Sequence, residues 1–293
     1  MKKVVLPNEY KYIAAFLTMR CNINCTYCLN DFGEKFKRES YEEVSGEEWV
    51  EGLDRLESRA EVPVTLCGGE PSVHPDFIYI INNLKPELNI DILTNLQFSK
   101  RMMERFIGEV NPERLKRDAR YASIRVSYHP EQMGNGEKLV ENAKILQDAK
   151  FSIGIWAVLY PSQQQLSAIN QMQFRCRDAG IDFRLKEYTG EFKGELYGDY
   201  SKYANSAFQD KTRFCECRTP ELLISTDTKI YRCHRDLFAQ ENPVGSLLDE
   251  RFQADYCFRA CSKYGDCHPC DVKVKTDYKQ RLGNTSVDIR NVK

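Results

Sequence analysis

Three thiols stand within eight residues near the start of the chain, at Cys21, Cys25 and Cys28. So close a spacing lets them converge on one inorganic centre without a long loop to close. A closed structural zinc site takes four ligands, and a [4Fe–4S] cluster is normally held by four Cys thiolates. Three thiols therefore describe either a cluster with one iron open to another ligand or a zinc ion that borrows a distant fourth. A second set lies further along, where seven of the twelve cysteines fall: Cys215, Cys217, Cys233, Cys257, Cys261, Cys267 and Cys270. A hairpin bearing thiols, closed by a later Cys-x2-Cys, can surround either kind of centre. Cys67 and Cys176 stand apart from both sets and read as buried core thiols.

The elements that must position these thiols follow from periodicity. Residues 12–19 are a near-continuous apolar run that ends at the cysteine loop, as a buried parallel strand does. Ser45 and Glu48 form a capping box, and Trp49, Leu53 and Leu56 fall on one face of the helix it starts. The alternation then repeats, with strands over 62–67, 89–94, 122–128, 151–159 and 181–187. The intervening helices carry Phe77, Ile80, Ile81 and Leu84, then residues 99–110, then Leu139, Ala143, Ile145 and Leu146, then residues 162–178. His74 reads as the start of a helix. Six strands alternating with helices predict a parallel α/β architecture, and periodicity alone leaves an open doubly wound sheet and a partial barrel equally allowed.

Either architecture binds ligands at the C-terminal ends of its strands. The cysteine loop follows the first strand there, and Gly68-Gly69-Glu70-Pro71 follows the second. Glycines let backbone approach a ligand closely, and Glu70 can accept a hydrogen bond from an ammonium group. His129 ends the fourth strand and Lys186, Glu187 and Tyr188 end the sixth, placed to orient a substrate or move a proton. Tyr188, Tyr197, Tyr200 and Tyr203 could line a substrate surface. Residues 189–214 read as a linker or a loop over the strand ends. Glu221 to Ser225 and Lys229 to Arg232 flank Thr226-Asp227-Thr228 as a small β-hairpin, and 272–293 is a charged tail expected to be only partly ordered.

A length of 293 residues allows one large domain or two ordinary ones. Lys+Arg 42 against Asp+Glu 43, a net charge of -1, gives no global field for nucleic acid or anionic membrane. No apolar run approaches a membrane span, and the start breaks before any secretory h-region. The composition describes a cytoplasmic, oxygen-sensitive protein whose cysteines bind metal rather than pair as disulfides.

With Tyr27 before its last cysteine, and Gly-Gly-Glu-Pro following in order, the first motif resembles the signature of the radical S-adenosylmethionine (SAM) superfamily. The resemblance covers residues 10–190 and implies an α/β fold, a (β/α)6 partial TIM barrel. It implies that Cys21, Cys25 and Cys28 hold a [4Fe–4S] cluster whose open iron takes SAM. Tyr27, Gly68, Gly69, Glu70, Thr94, Asn95, Ser127 and Val158, beside Ala157, would then contact SAM. The implied chemistry is reductive cleavage of SAM to a 5′-deoxyadenosyl radical, which removes a hydrogen atom from an organic substrate.

The later cysteines resemble the twitch and SPASM auxiliary-cluster domains. That likeness divides the chain into a barrel (10–190), a linker or active-site loop (191–214), a small cysteine-rich α+β domain (215–275) and a tail (276–293). It implies an auxiliary [4Fe–4S] cluster on Cys217, Cys233, Cys267 and Cys270, with Cys215, Cys257 and Cys261 as further ligands. Two departures stand out: the x3 and x2 spacings are swapped, and Thr228 stands where those domains commonly have glycine. A zinc knuckle is the alternative. A fully ligated auxiliary cluster suits electron transfer, so the expected reaction is oxidative modification of a small molecule such as a sugar, aminoglycoside or nucleotide. Relatives that modify peptides often carry an N-terminal recognition domain, whereas only residues 1–11 precede the first strand here. Peptide maturation with a separate recognition partner is therefore the second reading, and a non-catalytic iron–sulfur or zinc protein the third. The implied redox partner is an electron donor such as flavodoxin or ferredoxin; neither membrane nor nucleic acid is expected.

Overall fold

The computed structural model describes residues 2–28, 30, 41–198, 213–272 and 286–292. Six strands follow one another: β1 Tyr12–Thr18, β2 Val64–Gly68, β3 Ile90–Thr94, β4 Ile124–Tyr128, β5 Ile153–Leu159 and β6 Asp182–Glu187. Each pairs in parallel with the next, from Ile13 opposite Val64 to Leu159 opposite Glu187. The helices between them are α1 Gly46–Leu53, α2 Phe77–Asn83, α3 Lys100–Glu109, α4 Pro130–Met133, α5 Glu137–Asp148 and α6 Gln163–Asp178. This is the expected parallel α/β fold, built as a partial barrel.

Local chemistry explains most boundaries. Ser45 accepts from the Glu48 amide while the Glu48 carboxylate accepts from the Ser45 amide at 2.9 Å, so the capping box is complete. Ser99 caps α3 by accepting from Met102 N. His74 does not begin a helix, contrary to expectation. Pro75 follows it and disfavours helical backbone, so His74 is extended and closes the 3-10 turn Pro71–Val73. Ile145 is 46% exposed rather than buried, because it falls off the stripe formed by Leu139, Ala143 and Leu146.

The two faces of β1 bury different partners. Ile13, Ala15 and Leu17 join the large core with the helices, whereas Ala14 and Phe16 join Cys67, Leu223, Leu237 and Phe238. A buried ion network also crosses β3 and β4. Asp91, fully buried, takes a two-point contact from Arg117 at 2.5 and 2.9 Å, and Arg125 lies 3.8 Å away while donating to Thr65 Oγ1 at 3.2 Å.

Beyond β6 comes a hairpin, β7 Gly190–Phe192 and β8 Glu195–Tyr197. Tyr200, Tyr203 and the rest of 199–212 lie outside the described residues. The following elements are β9 Arg213–Arg218, β10 Glu221–Ile224, β11 Lys229–Tyr231, α7 His234–Ala239, β12 Gly245–Ser246, β13 Arg259–Tyr264, α8 Pro269–Val272 and β14 Asp288–Asn291. The hairpin expected around Thr226-Asp227-Thr228 forms from β10 and β11. It also continues the barrel sheet, because β10 pairs in parallel with β1, Glu221 opposite Tyr12. The nine-stranded order is β12-β11-β10-β1-β2-β3-β4-β5-β6. α7 then lays Leu237 and Phe238 against Phe16, whose ring meets that of Phe238 edge-on at 6.0 Å.

A second sheet of three strands has β9 at its centre between β13 and β14. Within the expected tail, the described residues 286–292 include the strand β14. Residues 288–291 pair with β9, and Val287 is buried against the thiols of that sheet.

Candidate cofactor site

The cysteine loop leaves β1 and is held from two sides. Arg20 makes a two-point pair with Glu43, at 3.1 and 2.6 Å, and its amide donates to Thr18 Oγ1 at 3.0 Å. From the end of β3, Asn95 Nδ2 donates to Asn22 Oδ1 at 2.7 Å and lies 3.7 Å from Cys21 Sγ. From α4, Glu131 accepts from both the amide and the hydroxyl of Thr26 at 2.7 Å, and Gln132 donates to Asn24 O at 2.9 Å. Cys25 is buried, and Cys21 and Cys28 are half-buried.

The Gly-Gly-Glu-Pro segment serves this loop directly. Gly69 N donates to Thr18 O at 2.7 Å and Glu70 N to Arg20 O at 2.9 Å. A Cβ on Gly68 would stand 2.1 Å from Thr18 O, and one on Gly69 would stand 2.2 Å from Arg20 O. The glycines therefore permit close approach of β2 to the chain's own cysteine loop. Glu70 is fully buried, and burial raises its pKa. Its carboxylate accepts from Ser72 Oγ at 2.6 Å, Thr94 Oγ1 at 2.7 Å and Asn95 N at 2.6 Å. Glu70 thus ties the end of β2 to the end of β3, and Thr94 and Asn95 act within the same network.

Aromatic rings cover the far side of the loop. The Tyr27 hydroxyl lies 3.2 Å from His129 Nδ1, and its ring stacks on Tyr160 at 4.6 Å. Burial lowers the His129 pKa to about 4, so its imidazole is neutral near pH 7, and burial raises that of Tyr27. Tyr160 meets Tyr188 and Phe192 edge-on, and Tyr188 donates to Glu191 O at 2.9 Å. Ser127 and Val158 are half-buried, Ser127 opposite Trp156 and Val158 opposite Lys186. Lys186 and Glu187 are exposed on β6, whereas His129 contacts Tyr27 of the cysteine loop. Asn22, Glu131, Gln132 and Tyr160 were not singled out by motif; the signal available was their place just after a strand or a cysteine.

The family model described as "Radical SAM superfamily" matches residues 16–161, a span that contains the cysteine loop, the Gly-Gly-Glu-Pro clasp and Tyr160. The chain belongs to the radical SAM superfamily. A probable GTP 3′,8-cyclase of Methanopyrus kandleri is 33% identical over 90 residues, 31% of this chain and 28% of that protein. The GTP 3′,8-cyclase of Nautilia profundicola is 28% identical over 108 residues, 34% of this chain and 33% of its own. The chain thus matches a third or less of the length of these relatives. A solved structure titled "Native anSMEcpe with bound AdoMet and Cp18Cys peptide" superimposes with TM-score 0.54 at 14% identity, over 96% of this chain and 93% of that one. That likeness is one of fold.

Radical SAM enzymes use a [4Fe–4S] cluster and SAM, and the donor set here suits them. Cys21, Cys25 and Cys28 are three thiols on one loop at the C-terminal ends of parallel strands, with the Asn95 amide turned toward one sulfur. Cys67 and Cys176 are buried, and burial pushes both thiols up to about 12, as core cysteines.

The C-terminal thiols group differently from the spacing-based expectation. The sulfurs of Cys215, Cys217 and Cys261 lie within 4.8 Å of one another, those of Cys215 and Cys217 being 3.6 Å apart. Antiparallel pairing of β9 with β13 sets Cys215 opposite Cys261, and Cys217 lies two residues on, on the same face. Hydrogen bonds from Cys215 and Cys217 pull the Cys261 thiol well down. Cys217, Cys233, Cys261 and Cys267 line one small pocket. Burial raises the Cys233 thiol well above its usual range and Cys267 to about 12. Cys270 does not line that pocket, and Cys257 is exposed. The cluster of cysteines is consistent with an auxiliary metal centre, with Cys215 and Cys261 more central than their spacing suggested.

Proposed function

We propose that this radical SAM enzyme abstracts a hydrogen atom from a small organic substrate, a nucleotide being the first candidate. The observation that carries the cleavage chemistry is the clasp of the three-cysteine loop by Gly68-Gly69-Glu70 on one side and Glu131-Gln132 on the other. Bound at Cys21, Cys25 and Cys28, the cluster would supply the electron that cleaves SAM to methionine and a 5′-deoxyadenosyl radical. The chain's own part is positioning. Asn95 would orient Cys21 through its amide, and Gly68 and Gly69 let β2 press against the loop. His129, neutral near pH 7, could accept a proton at Nδ1 or Nε2.

A nucleotide is favoured because the curated relatives that match are described as GTP 3′,8-cyclases. Oxidation through a C-terminal cluster is supported by the cysteine pocket. A peptide is the second reading, favoured by the fold likeness to anSMEcpe over 96% of this chain, since that structure is titled with a bound peptide. Anaerobic reconstitution tests the proposal. Wild-type enzyme should release 5′-deoxyadenosine and Cys25→Ala should release none; undiminished cleavage by the variant refutes the site. Iron content should be about eight per chain with one auxiliary cubane, taking four per cluster. Four with bound zinc refutes the auxiliary cluster. Stimulation of 5′-deoxyadenosine release by peptides but not by nucleotides or sugars refutes the substrate class.

A further inference from the structure

We infer that Tyr160 is a positioning residue for SAM cleavage, whose ring couples the β7–β8 hairpin to the backbone between Cys25 and Cys28. This rests on the reading that those cysteines hold the cluster, which iron content of the Cys25→Ala protein decides separately.

Tyr160 directly follows β5, and its backbone is closed on both sides: its amide donates to Val158 O at 2.7 Å and its carbonyl accepts from Ser162 N at 2.8 Å. The ring on this tight turn has one face on Tyr27, centroids 4.6 Å apart and planes 22° from parallel. Tyr27 is itself fixed by His129 at its hydroxyl, and it stands between two of the three ligating thiols. Any shift of that ring is therefore a shift of the Cys25–Cys28 backbone.

The other side of Tyr160 belongs to the hairpin. Tyr188 meets it edge-on at 5.0 Å and Phe192 at 5.1 Å, and Tyr197 packs 6.0 Å from Tyr188 and 6.4 Å from Phe192. Gly190, at φ +152, lets β7 cross tightly over Tyr188, where a Cβ would stand 2.7 Å from the hydroxyl oxygen. The Tyr188 hydroxyl then donates to Glu191 O at 2.9 Å, which locks the hairpin to its own ring stack. Edge-to-face and stacked pairs of this kind resist sliding, because their energy depends on ring geometry. One ring thus links the mouth of β6 to the cluster loop.

The test uses reconstituted holoenzyme carrying Tyr160→Leu or Tyr160→Phe. The readouts are KM for SAM in substrate-free 5′-deoxyadenosine formation and deuterium uptake over residues 188–197 with and without SAM. In wild type and Tyr160→Phe, SAM should slow exchange in the hairpin. In Tyr160→Leu that response should vanish and KM should rise about three- to tenfold, the range for one aromatic pair, with iron content unchanged. Wild-type KM and an intact hairpin response in Tyr160→Leu would overturn the inference, as would a Tyr160→Phe protein that behaves like Tyr160→Leu. Should Tyr160→Leu fail to fold, the double variant Tyr188→Leu with Phe192→Leu cuts the same link from the hairpin side, and an undiminished response there overturns it equally.

Discussion

Gly69→Ala separates two roles for the Gly-Gly-Glu-Pro segment. The added Cβ would stand 2.2 Å from Arg20 O and 2.5 Å from Met19 O, and both neighbours are backbone, which cannot rotate away. Real Cβ atoms keep about 3.0 Å or more, so the cysteine loop and β2 must part by most of an ångström. That movement stretches the Glu70 N–Arg20 O bond from 2.9 Å past the useful range and strains the Gly69 N–Thr18 O bond at 2.7 Å. At about 1 kcal/mol for each, the loss is about 2 kcal/mol of stability. Misplacement of reacting groups by ~1 Å costs about 100-fold in rate. Urea unfolding of the metal-free protein and 5′-deoxyadenosine formation at saturating SAM measure the two effects. A Gly69→Ala protein of wild-type stability whose only defect is weakened SAM binding would refute this reasoning, since the glycine would then serve the ligand and not the loop.

Three further perturbations follow from buried groups. His129 has its pKa lowered from 6.5 to about 4 by burial, so the unfolded chain binds the extra proton first and stability falls as pH drops through that window. Wild type should lose about 3 kcal/mol more than His129→Gln between those limits, read from urea curves at each pH; equal losses would contradict the burial argument. Asp91→Ala leaves the Arg117 and Arg125 guanidinium groups buried without their shared carboxylate and should cost about 3–5 kcal/mol; a loss below about 1 kcal/mol would show that the network is dispensable. Thr228 sits at φ 62, a left-handed conformation that disfavours a β-branched residue. Thr228→Gly should therefore be more stable than Thr228→Ala by about 1 kcal/mol in thermal unfolding, and the reverse order would refute the strain.

That same φ accounts for the glycine usual at the Thr228 position in related hairpins, and it marks what the sequence could and could not say. The barrel was legible because β1 and β5 are largely apolar runs and α1 and α3 carry local caps at Ser45 and Ser99; such features are written within a few residues of where they act. The roles of Glu70 and the glycines were legible as to place but not partner. Glu70 reads as a strand-end carboxylate, but its protein donors Ser72, Thr94 and Asn95 become visible only when the ends of β2 and β3 are brought together. The C-terminal thiols were harder still, because spacing along the chain carries no register. Cys215 and Cys261 become neighbours only through antiparallel pairing of β9 with β13, across a separation that no local pattern encodes. The same holds for β10, whose four buried residues could pack in either sheet. Its parallel pairing with β1 joins the strand that leads into the cysteine loop to the hairpin whose β11 leads to Cys233. The three-cysteine loop and Cys233 therefore follow strands of one continuous sheet, so a change in β1–β10 register would displace both together.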